Sequence, residues 1–325
     1  MRRSLFAWLT GVLLLLAVVV PRPVWGQGRW DPNTPKLPMA RTWEAYKATL
    51  PPYTPSRTPD GVPDLQGTWG GPGGAGGDDI EDHGYVDVTT PPQESFVSDP
   101  PDGKIPYTPW ALARRNEIRA GLARGWPGET GERLYADPNT YCVVGIGPRG
   151  GGIGEIVQQP GVVIMMTPRV HRVVPTDGRP HMSDRAKSWR GSSRGRWDGN
   201  SLVIDIRGLN GKQWFDSVGN FYSENTRMIE RLTMADANTI DYELTMEDPT
   251  IYARPWKINY PLRRAGTGGT DNSTGKYAWR STVAVDPDPY AREAWENVCN
   301  EGVANNVRSM YSLGFKWFRG VTPPR

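Results

Sequence analysis

Histidine and cysteine are the scarce residues of this chain, three and two among 325. There is no paired C-x-x-C, no H-E-x-x-H and no Walker A lysine, so the common zinc and nucleotide-phosphate motifs are missing. Lysine and arginine are scattered among acids instead of forming a stripe, and the formal net charge is only +3; no nucleic-acid partner is implied. Internal repeats are also lacking. The one long apolar run, Leu5 to Val20, follows Arg2 and Arg3 and precedes Val24, Trp25 and Gly26. It is slightly short of the roughly 20 residues that span a bilayer. With small or tolerated residues one and three places before Gln27, the layout is that of a signal peptide over 1–26, cut after Gly26. A periplasmic or secreted protein without a stable membrane anchor is the expectation, with a retained anchor as the rival.

Abundant residues point elsewhere. Glycine (38), proline (31) and tryptophan (14) favour a sheet protein with many turns over a helical bundle. In an exported chain, Cys142 and Cys299 are most simply one disulfide closing a long loop; two buried free thiols are the alternative. Residues 27–63 read as a proline-rich extended arm with a short helix over Thr42 to Leu50, and 64–325 as the β domain. Gly70 to Gly77 reads as a flexible loop. The acids Asp78, Asp79, Glu81 and Asp82 beside His83 lack the ligand spacing of a calcium loop and read as solvated charge.

Periodicity supplies the elements. Thr108 followed by Pro109 starts a helix to Leu122, and a second is expected near 289–304. Glu155 to Gln159, Val162 to Met166 and Val170 to Val174 read as strands. Around the Asp198-Gly199 turn, Ser193 to Trp197 pairs with Ser201 to Arg207; Arg227 to Met234 and the alternation Ile240, Tyr242, Leu244, Met246 extend a meander. The long connection from Gly208 to Asn225 carries Trp214, Phe215, Phe221 and Tyr222, which fit either a lid or core packing.

Two literal motifs fail on context. Gly145, Gly147 and Gly150 spell G-x-G-x-x-G, but no helix follows to hold a pyrophosphate. Gly191, Ser193 and Gly195 spell G-x-S-x-G, but a hairpin follows where a nucleophile elbow needs a helix. The candidate site is instead His171, Asp177, Arg179 and His181, within a strand, a turn and the next segment. Two imidazoles and a carboxylate can form an acid/base pair, with Arg179 stabilising a developing anion, or an open metal site; they can equally be turn structure. No cofactor and no metal is assigned. Trp189, Trp197, Trp214 and Tyr242 are the candidate ligand-lining residues.

The run from Thr58 to Trp69, with Thr176 to His181, Arg194 to Asp198 and Asp248 to Trp256, resembles a family of uncharacterised exported bacterial proteins, many from soil bacteria. That resemblance covers most of the mature chain and implies no particular activity. Gly67-Thr68-Trp69 is also similar to the G-x-W that opens the first strand of lipocalin-like barrels. There the tryptophan packs against a late arginine, for which Arg319 is the expected counterpart. This chain is longer than a simple lipocalin, and no tyrosine follows Thr176-Asp177. The combined expectation is a mainly β protein: an antiparallel meander closing wholly or partly into a lipocalin-like barrel, with peripheral helices. Its mouth would bind a small apolar or aromatic molecule, hydrolysing or isomerising it if the histidines are catalytic; a non-catalytic envelope binding or scaffold protein is the alternative.

Overall fold

The structure, a computed structural model, describes residues 36, 39–71, 79–84, 92–122, 135, 137–138, 146–147, 154–166, 171–183, 185–264 and 318–323. The segment 1–26 expected to be a leader, most of the glycine-rich loop, both cysteines and the disulfide expected between them, and the helix expected near 289–304 lie outside these residues.

Among the described residues two helices accompany one antiparallel sheet. Helix α1 is Ala40–Lys47 and α2 is Pro109–Ala120. Thr108 caps α2, its side chain accepting from the Ala111 amide at 3.4 Å, and Pro109 supplies the preset φ of the first turn. Helix α1 begins earlier than its Trp43 and Tyr46 spacing indicates, because the Glu94 carboxylate accepts from the Met39 amide at 3.0 Å and the Thr42 hydroxyl at 2.8 Å. The Trp43 indole donates to Asp241 at 2.8 Å, tying the arm to the sheet.

The strands are β1 (Gly67–Gly70), β2 (Val97–Asp99), β3 (Glu155–Gln159), β4 (Val162–Met166), β5 (His171–Pro175), β6 (Ser192–Asp198), β7 (Ser201–Arg207), β8 (Arg227–Asp236), β9 (Thr239–Glu247) and β10 (Trp256–Arg264). Their order is β5-β4-β3-β1-β10-β9-β8-β7-β6, with β2 also against β10. Each expected strand is present, within a residue or two. Strand β10 interrupts the alternation with Pro261, yet Pro261 falls in the gap between the β2 pairing at Lys257 and Ile258 and the β1 pairing at Arg263 and Arg264. Its missing N–H therefore breaks neither of those ladders.

One face of the sheet is the core. Leu202, Ile204 and Ile206 of β7, Met228, Leu232 and Met234 of β8, Ile240, Tyr242, Leu244 and Met246 of β9, and Ile258, Tyr260 and Leu262 of β10 are all buried. Alternate residues carry the charge: Asp205, Arg227, Arg231, Glu243 and Lys257 form cross-strand or neighbouring ion pairs on the outer face. This is the period-two division of a sheet with one wet side.

The sheet rolls without closing into a barrel. Its two end strands, β5 and β6, meet through side chains and share no backbone ladder among the described residues. At Gly195 an added Cβ would lie 2.8 Å from Thr176 Cγ2 and 2.9 Å from Val174 Cγ1, so the approach of β5 requires glycine there.

The long connection is core, not lid. Trp214 is 1% exposed, and Phe215, Phe221 and Tyr222 are fully enclosed. Phe215 packs on Trp256, Trp214 on Phe318, and the Tyr107 hydroxyl accepts from the Phe221 amide at 3.1 Å. Beneath it, Asn220 bonds the buried Asp216, and Arg115 of α2 donates to Asn220 at 2.9 Å. Asp79 and Glu81 are not solvated charge: Arg119 and Arg115 of α2 neutralise them at 2.7 and 2.6 Å.

Candidate functional site

Among the described residues the inner face of the strands carries one acid. In the row Met228, Glu230, Leu232, Met234 on β8, Glu230 holds an inward position and is 1% exposed. A buried carboxylate requires a countercharge. Arg172 of β5 supplies it from the opposite end of the sheet, with Nη1 donating to Glu230 Oε1 at 3.0 Å and Nη2 to Oε2 in a bidentate pair. The Tyr242 hydroxyl donates to Glu230 Oε1 at 2.9 Å, and Arg172 Nη2 also contacts Met165 Sδ at 2.8 Å. Burial lowers the proton affinity of Arg172, but its attraction to Glu230 outweighs this and holds the guanidinium above its ordinary value. Burial, reinforced by Glu230, pushes the Tyr242 hydroxyl well above 10. The tyrosine is a fixed donor at neutral pH.

A second guanidinium joins them. Arg190, just before β6, donates from Nη1 to the His171 carbonyl at 2.9 Å, bridging the seam between the sheet's ends. Its Nε is buried without a hydrogen-bond partner. Burial and repulsion from Arg172 push its pKa down to about 10, so it stays a cation near neutrality at a cost to the fold.

The candidate residues divide between places. Tyr242 belongs to this inner cluster. Trp197 is opposite Leu202, on the inner face of β6, and half-buried; Trp189 is 37% exposed beside Arg190; Trp214 is part of the core. His171 alternates with Arg172 and is therefore on the outer face, opposite Met166, where its imidazole has no hydrogen-bond or ion-pair partner among the described residues. Asp177 and Arg179 pair with each other in a solvent-exposed turn, Arg179 Nε bonding Asp177 Oδ2 at 2.8 Å. The Asp177 carboxyl is held below its usual range by the Arg179 hydrogen bonds.

His181 also lies over the outer face. Its Nδ1 is 3.4 Å from Ser192 Oγ and its Nε2 is 3.4 Å from Asp205 Oδ2. Serine, imidazole and carboxylate stand in the order of a nucleophilic relay, but the chemistry is poor. Ser192 is buried and also receives the Met182 amide, while Asp205 already balances Arg207 and Arg227 at 2.8 Å each. A carboxylate neutralised by two guanidiniums gives an imidazolium little stabilisation. With Arg194 donating to the Pro180 carbonyl at 2.7 Å, these contacts hold 177–183 against the sheet.

Of the glycine run, Ile146 and Gly147 are described; Gly147 packs against Leu244 and Met228, covering part of the inner face. Among the described residues no cluster of histidine, cysteine or acidic side chains is placed to hold a metal ion, and no helix is long and apolar enough to cross a membrane. Comparison with protein families, with curated proteins and with solved structures finds no match to this chain.

The Arg172, Glu230, Arg190 cluster was within reach of the sequence. A single acid on the apolar phase of a strand, and a single arginine in phase with Val174, are the signals that mark it.

Proposed function

We propose that this is an exported binding protein that holds a small apolar or aromatic molecule against the inner face of a rolled, lipocalin-like sheet. The observation that carries the reading is the convergence of a few polar groups, Arg172, Arg190, Glu230 and Tyr242, at the otherwise apolar and aromatic inner face. An apolar surface with a few fixed polar groups is the usual make-up of a small-molecule site. The lipocalin likeness is supported by Trp69, which lies under a late arginine, though this is Arg264 and not Arg319. Export rests on the leader over 1–26. Binding without turnover is favoured because neither His171 nor His181 is on the inner face.

The test is fluorescence titration of the mature protein with a neutral, environment-sensitive naphthalene dye. Saturable emission enhancement at one dye per chain, lost on displacement by unlabelled naphthalenes, is the expected result. Absence of saturable binding overturns the reading.

A further inference from the structure

We infer that the bound molecule carries a carboxylate, gripped by Arg190 at the seam where β5 and β6 meet. This deepens the binding reading above and rests on it. The argument is one of charge and unused donors.

Two guanidiniums share one acid at the inner cluster. Arg172 takes both oxygens of Glu230, and Tyr242 occupies a further lone pair of Oε1. Nothing is left of that carboxylate for Arg190, whose one hydrogen bond runs from Nη1 to the neutral carbonyl of His171. The Nε and Nη2 edge of Arg190 has no partner among the described residues, and its Nε is buried. A half-buried cation whose Nε is enclosed and unpaired is an incomplete pair, and a planar acceptor with two oxygens completes it through parallel N–H···O bonds to Nε and the neighbouring Nη2. One guanidinium edge matches one unit of negative charge; a phosphate dianion would need further donors that the seam does not present.

The experiment compares 2-naphthoate with its methyl ester by titration calorimetry on the mature protein and on R190Q and R190K, each variant first shown to melt cooperatively. The wild type is expected to bind the acid at least tenfold more tightly than the ester. R190Q should lose that preference, so that acid and ester bind with similar affinity, and R190K should retain part of it. Equal affinity of wild type for acid and ester, or a preference that survives in R190Q, overturns the carboxylate site while leaving apolar binding intact. If neither probe binds, both readings fall.

Discussion

Arg264 lies over the indole of Trp69, its guanidinium carbon 4.2 Å from the ring centroid, because the two are direct partners across β1 and β10. The same guanidinium donates to the Gln66 carbonyl at 2.9 Å and crosses Gly67, where an added Cβ would lie 2.4 Å from Nη1. Gly67 also has φ of +126°, which side-chain-bearing residues rarely adopt. The G-x-W motif thus has a local cause: glycine clears the path for the arginine that covers the tryptophan.

Removing either partner should be measurable in urea unfolding. R264A is expected to cost about 1 kcal/mol, the loss of a cation–π contact, and W69A about 3–5 kcal/mol, the loss of a buried aromatic. The double variant should cost less than the sum by about 0.5–1 kcal/mol. Strict additivity would mean the stacking contributes nothing.

The inner ion pair predicts an asymmetry. E230A strands the buried Arg172 and should destabilise the chain by about 3–5 kcal/mol, whereas R172M/E230L, with apolar groups of similar volume, should come within about 1–2 kcal/mol of wild type. Chemical denaturation of both variants checks this. A double variant as unstable as E230A would show that Glu230 stabilises through something other than its charge partner.

Acid sensitivity should trace in part to Asp205. Burial raises its pKa, but hydrogen bonds from Arg227 and Arg207 outweigh burial and hold it below the ordinary 3.8. A carboxyl with a folded pKa below its unfolded value contributes stability that is fully present above the unfolded value and lost as pH falls through the folded one. D205N should therefore be less stable than wild type at neutral pH, by about 1 kcal/mol or less given its partial exposure, and the gap should close as pH drops below 3.8. A gap independent of pH would assign the loss to packing.

Much of the sheet was legible from alternation alone. Strands β8 and β9 alternate an almost wholly apolar phase with a mostly polar one, and α2 announces its start with Thr108 and Pro109. Strand β10 hid behind Pro261 and a burial pattern with hardly any polar phase. The start of α1 depends on Glu94, far along the chain, which no local window includes. At the site, the two histidines drew attention because they are rare. Strand parity places His171 outward and its neighbour Arg172 inward, so the chemistry lies one residue away from the conspicuous side chain. Arg264 displaced Arg319 as the partner of Trp69 for a similar reason: the pairing follows from β1 meeting β10, and that long-range register is not written in either segment.

The most direct test of the account is methyl NMR of the mature protein carrying 13C-methyl methionine, titrated with 2-naphthoate. Met165, Met228, Met234 and Met246 lie on the inner face, while Met182 is exposed on the opposite side of the sheet's edge. Binding against the inner face should shift Met165, beside Arg172, and one or more of its inner neighbours in a saturable manner, leaving Met182 unmoved. Saturable shifts confined to Met182, or no shifts at all, would contradict it.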